Sequence, residues 1–242
     1  MPPIWPEIQV DVLMFLGCVA AIGIYHLFLM VMVRRGHHYT FQAVVSRSRA
    51  AWAQSVMEGG RDILAVQTFR NSIMAATFLA STAIFLITGV LTLSTQGDRL
   101  EGLWHALNVG GGAGPAVWIL KILAILVDLF AAFLCFTMVI RFFHHVAYMI
   151  NVPLGGRHGA VAPRLVIAQL NRAGHFYWLG MRAYFFLLPL VLWLFGPLFM
   201  VGATAALIVF LYRLDHMPLL DEEAAQLPAP PAREDGKLVS LR

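Results

Sequence analysis

Apolar residues along the chain gather into four long runs, separated by connectors rich in arginine, histidine and glycine. The runs cover about Val10–Val33, Ser72–Leu93, Ala116–Ile140 and Ala183–Tyr212. A hydrocarbon core needs about 20 apolar residues in helical form, and each run is long enough. None alternates with the period of two that a membrane strand shows, so the runs are helices that satisfy their own backbone in lipid. The pattern predicts an all-α membrane protein, a four-transmembrane-helix bundle with cytoplasmic amphipathic helices.

The connectors carry structure of their own. Within 40–70, Phe41, Val44, Val45, Ser48, Trp52, Ser55 and Val56 follow helical spacing, with Arg47, Gln54 and Glu58 opposite. This is the pattern of an amphipathic helix on a membrane surface or against a bundle. Gly59-Gly60 breaks it before a second helix starts near Arg61 and enters the second span. Over 163–182, Pro163 suits a helix start and Leu165–Tyr177 leads toward the fourth span. NVGGGAGP (108–115) reads as a turn, without the Lys-Ser or Lys-Thr that a phosphate-binding loop requires. The acidic, Pro/Ala-rich segment 215–242 is expected to be a disordered tail outside the 1–214 membrane domain.

The second run is thin. Ser72, Ala76, Ala80 and Ala83 recur at helical spacing, and Ala75 and Ser81 widen the stripe. Helices in lipid approach closely through small residues, so this run is expected to be a central helix and to favour self-association.

Composition agrees with the pattern. The 242 residues are 60% hydrophobic and only 12% charged, about half the charge of a soluble domain. The net charge of +4 needs no nucleic acid to explain it. Arg34, Arg35, Arg47, Arg49, Arg61 and Arg70 fall in one connector, and Arg141, Arg157, Arg164, Arg172 and Arg182 in another. The intervening connector has only Arg99. The positive-inside bias therefore places the two basic connectors in the cytoplasm and, with four crossings, both termini outside. No cleaved signal peptide is expected from MPPIWPEIQVDV. Cys18 and Cys135 lie inside apolar runs and read as packing residues.

The run ILAVQTFRNSIMAATFLAST (63–82) resembles the signature of a bacterial and plant membrane-protein family, catalogued as domain of unknown function 599. RFFHHVAYMINVP (141–153) and LNRAGHFYWLGMRAYFFLLPLVLWLFGP (170–197) carry the resemblance onward, over roughly residues 8–215. It implies a multi-span inner-membrane protein. No established activity comes with it, so no catalytic residue is carried over.

Asp128 is the sharpest chemical feature, since a carboxylate inside an apolar span marks a functional site by default. Depth matching sets it level with Ser81 and Thr82 on the second span and with Gly196-Pro197 on the fourth, where a Gly-Pro pair frees carbonyls. These five residues form a candidate polar path resembling the midplane ion sites of transporters. The alternative is a protonated Asp128 bonded to Ser81, Thr82 or a freed carbonyl. Asp11 and Lys121, at similar outer depth, suit a structural pair.

At the inner boundary, Arg70, Asn71, Arg141, His144, His145 and Tyr148 form a candidate cluster for an anion or lipid headgroup, with a plain polar interface as the alternative. The doublets His37-His38 and His144-His145 invite a metal or haem reading. Neighbours on a helix diverge by about 100°, however, and neither HExxH nor CxxCH is present. No metal site, cofactor or catalytic residue is predicted, and an enzyme is disfavoured.

The sequence therefore points to a non-enzymatic, homo-oligomeric channel or transport component of the bacterial inner membrane, for an ion or small solute. The alternatives are an accessory subunit of a larger membrane complex and, third, a haem- or metal-carrying redox subunit. The expected partners are the lipid bilayer and further copies of the chain.

Overall fold

A computed structural model of the chain describes residues 5–34, 41–60, 62–95, 115–152 and 163–215. Among them are six helices: α1 (Trp5–Arg34), α2 (Phe41–Gly59), α3 (Asp62–Thr95), α4 (Pro115–Met149), α5 (Pro163–Trp193) and α6 (Pro197–Asp215). No strand occurs among the described residues. All but α2 are long and apolar enough to cross a membrane. The turn at 108–115, up to its last residue, the tail beyond Asp215 and the His37-His38 doublet lie outside the described residues.

Local chemistry sets the boundaries. α4, α5 and α6 each begin on a proline, whose fixed φ and missing N–H suit the first helical position. α2 stops where Gly60 takes φ 59°, a left-handed conformation that closes a helix.

The run 183–212, expected as one fourth span, is two helices. The N–H groups of Leu194, Phe195 and Gly196 turn back to the carbonyls three residues earlier, at 3.1 Å each. Gly196 then adopts φ 141°, which a side chain resists, and Pro197 brings no N–H to continue the ladder. The Gly196 carbonyl instead accepts from Met200 N at 3.3 Å and opens α6. The segment 163–182, expected as a separate surface helix, is continuous with the upstream part of that run in α5. Pro189 lies buried inside α5 without ending it. Five helices are thus long and apolar enough to span a membrane, where four spans were expected.

α4 and α5 form the middle of the bundle. α3 packs on α4, α6 on α5, and α1 on α6, while α2 lies across one end against α5 and α3. The small stripe of α3 is a packing seam, with Ala65, Ala76 and Ala83 fully buried and Ala80 and Ile87 nearly so. Its spacing of three and four keeps one face on α4, against Ala132 and Phe136. α3 is peripheral rather than central, because its other face leaves Ile63, Phe78 and Phe85 exposed. Ala75 and Ser81, expected to widen the packed stripe, are also exposed.

At the α2 end, Ala53, Val56, Ala65, Phe69, Val146, Ile150, Val166 and Leu170 make one apolar cluster from four helices. α2 is turned differently from its expected face: Ser48 and Ser55 are exposed, whereas Ala53 is buried and Arg49 half-buried. At the α5–α6 turn end, Cys18, Trp193 and Met200 pack with Met14, Phe15, Leu120 and Ala124.

Candidate functional site: two buried charge clusters and a carboxylate between them

Among the described residues, the charged side chains buried inside the bundle come from α1, α4, α5 and α6. Near the α5–α6 turn, Asp11 of α1 is fully buried, and its Oδ1 accepts the Trp193 indole N–H at 2.7 Å. Lys121 of α4 places its Nζ 3.4 Å from the same oxygen. The Trp193 ring supports both: Phe15 stacks on it at 4.7 Å and 4°, and the Lys121 ammonium lies 5.6 Å from the ring centre. A carboxylate and an ammonium removed from water hold only as a hydrogen-bonded pair, and here three helices supply the parts.

The second cluster lies toward the α2 end. Arg182 of α5 joins Asp215 at the last residue of α6 by a buried ion pair. Tyr25 of α1 donates its hydroxyl to the same Asp215 Oδ2 at 2.6 Å. Arg182 Nη1 is 2.6 Å from His26 Nε2. A guanidinium only donates, so Nε2 accepts and the ring proton sits on Nδ1, which bonds the Ile22 carbonyl at 2.8 Å. The guanidinium also lies 4.1 Å from the Trp178 ring centre, and His175 stacks on the far end of this row. The cluster fastens α1, α5 and α6 and aligns four groups that can give, take or stabilise a proton.

Asp128 stands between the clusters. Seven residues at about 1.5 Å each put it about 10 Å along α4 from Lys121. Eleven residues on α5 put Arg182 about 16 Å from Trp193, so Asp128 falls at an intermediate depth. It shares a helix face with the buried Lys121, Ile125 and Ala132, and its Oδ2 is buried without a hydrogen-bond partner.

The structure does not bring the other expected path residues to it. Ser81 and Thr82 are exposed on α3, and the Thr82 hydroxyl bonds the Phe78 carbonyl of its own helix at 2.8 Å. Gly196 and Pro197 are buried in the turn beside Trp193, at the Lys121 level rather than that of Asp128. The depth match failed because the fourth run ends there instead of passing through. Arg70, Asn71, Arg141, His144, His145 and Tyr148 are all exposed toward the α2 end. Among the described residues no hydrogen bond or ion pair links the α3 members to the α4 members. Nor does any group of three metal-ligating side chains occur among the described residues.

The Arg182 cluster escaped the sequence reading. The sequence pattern places Arg182 in a connector and Asp215 in a tail, whereas both are buried helix residues. The available signal was Tyr25-His26, two polar rings inside an apolar run that need partners from another helix.

Beside α5, burial pulls the Arg49 guanidinium of α2 below its ordinary value. It lies over Gly174, where an added Cβ would come within 1.4 Å of Nη1.

Residues 12–218 match the model of a family described as "Protein of unknown function, DUF599". No curated protein and no solved structure matched the chain. The chain belongs to that family.

Proposed function

We propose that this member of the DUF599 family is a non-enzymatic transport component of the bacterial inner membrane, for an ion or small solute, with its path among α1, α4, α5 and α6. One observation carries the reading: the Asp128 carboxylate, with a buried and unpartnered oxygen, lies at a depth between two charge clusters that α1 and α5 both help to build. Carboxylates within spans are expensive and are characteristic of ion pathways and proton relays. The path is tested by placing the purified protein in liposomes and following proton, sodium, potassium and chloride flux. Asp128→Asn is expected to abolish flux and leave the melting temperature unchanged. Wild-type flux equal to that of empty liposomes for all four ions sinks the reading.

Orientation follows from charge. Arg47, Arg49, Arg70, Arg141, Arg164, Arg172 and Arg213 gather toward the α2 end, which the positive-inside bias assigns to the cytoplasm. With five crossings the N-terminus is outside and the C-terminus inside. Reporter fusions after residues 55 and 235 are then expected in the same compartment. Opposite compartments would restore an even count.

Five helices enclose little free space, so the working unit is proposed to be a homo-oligomer. Native mass measurement in mild detergent is expected to give a defined multiple of the chain. Recovery only with foreign subunits would favour the accessory-subunit reading instead.

A further inference from the structure

We propose that Arg49 of α2, with Asn171 and Gly174 of α5, forms an oxyanion-binding site at the α2 end of the bundle. This goes beyond the transport reading and does not depend on it.

Arg49 is a half-buried cation whose charge no carboxylate among the described residues answers. Lys121 has Asp11 and Arg182 has Asp215, but no acidic side chain among the described residues comes within ion-pair distance of Arg49. Its Nε is buried and makes no hydrogen bond. Buried charges require a partner, and a guanidinium presents a planar fork suited to the paired oxygens of phosphate or carboxylate.

The surroundings hold that fork in place. Gly174 leaves room for it, since a Cβ there would lie 1.4 Å from Nη1 and 2.2 Å from Cζ. Asn171 is three residues before Gly174 on the same face of α5, and its terminal oxygen is buried without a partner. Amide O and N are interchangeable in assignment, so the buried Asn171 atom can equally be an N–H donor toward an anion. Nearby basic residues of the two helices, Arg47, Arg164 and Arg172, are exposed and raise the local positive potential. Two uncommitted buried polar atoms thus lie on α2 and α5 at this crossing, Arg49 Nε with its guanidinium filling the space a Gly174 Cβ would take, and the Asn171 amide one turn away along α5.

A phosphate oxyanion reaches this position either on a lipid headgroup or free in solution, and the test separates the two. Full-length protein, stripped of lipid in a neutral detergent, is titrated with phosphatidylglycerol or phosphatidylcholine and followed by native mass spectrometry. In a parallel arm, inorganic phosphate is titrated and the melting temperature followed. If the source is lipid, phosphatidylglycerol binds at least about tenfold more tightly than phosphatidylcholine, the scale expected of a charge-assisted fork. If the source is soluble, phosphate gives a saturable shift without lipid. In either case Arg49→Gln weakens binding at least about tenfold. Asn171→Ala, which leaves charge and backbone packing alone, weakens it about threefold, so the result does not hang on one variant folding. Failure of both ligands to bind, or equal binding by wild type and both variants, overturns the site.

Discussion

The two flanks of the α4–α5 pair are held by different forces. On one flank α3 lies on α4 through Ala76, Ala80 and Ala83, with the Tyr184 hydroxyl reaching the Leu79 carbonyl from α5. On the other, α1 and α6 are tied in by Asp11–Lys121 and by Tyr25, His26, Arg182 and Asp215. Lipid offers no hydrophobic drive between helices, so α3 depends on many small dispersion contacts along a close seam. The charged flank concentrates its attachment in a few groups that each become costly if a partner is lost. The first flank tolerates change in chemistry and resists change in volume. The second does the reverse.

Asp215→Ala should show the largest effect. It leaves the Arg182 guanidinium buried with only the neutral His26 ring and Tyr25 hydroxyl as polar neighbours, and loss of one partner from a buried pair costs about 3–5 kcal/mol. Reversible unfolding in mixed micelles measures it, and a loss below about 1 kcal/mol would remove the distinction between the flanks. Lys121→Met should cost less, about 1–3 kcal/mol, because Asp11 keeps the Trp193 indole N–H. The clusters share no partner and lie more than about 10 Å apart, so the double variant should add within about 0.5 kcal/mol. Strong coupling would mean that they act as one network.

On the seam side the expected sensitivity is steric. Gly180 of α5 faces the Phe136 ring, and a Cβ there would sit 2.8 Å from it. The ring is fully buried and packed against Tyr184, so it has little freedom to retreat. Gly180→Ala should therefore cost about 1–3 kcal/mol by overpacking. Gly202→Ala is the control: nothing lies within 4 Å, and the change should be neutral or slightly stabilising. Equal losses at the two glycines would mean that the α4–α5 contact is looser than its geometry indicates.

The seam was legible in sequence and the charged flank was not, for a physical reason. Small residues at intervals of three and four encode a face directly, because the helical period converts spacing into geometry. Ala76, Ala80 and Ala83 needed no knowledge of the rest of the chain. Arg182 and Asp215 meet across the α5–α6 hairpin, and Tyr25 and His26 reach them from the first helix. Their depths depended on where the fourth apolar run bends, and its hydrophobicity continues through Leu194 and Phe195 without a polar break. Gly196-Pro197 was visible as an interruption, but whether it kinks one helix or separates two is decided by backbone φ, which composition does not carry. Asp128 was found because a lone carboxylate stands out at any depth, while the neighbours assigned to it inherited the error in the bend.

The smallest expected effect carries the most about the path. Thr82 is exposed on the outer face of α3, and its hydroxyl is already used by the Phe78 carbonyl. Thr82→Val keeps the shape and removes only that local bond, so stability should change by less than about 0.5 kcal/mol. If the path runs inside the chain past Asp128, flux through Thr82→Val should equal wild type while Asp128→Asn is silent. Were Thr82→Val to reduce flux with the fold intact, the conducting surface would lie on the outer face of α3. That face would then have to be covered by a second copy, and the two flanks would trade roles: the dispersion-held side would carry the path, and the charged side would only hold the bundle together.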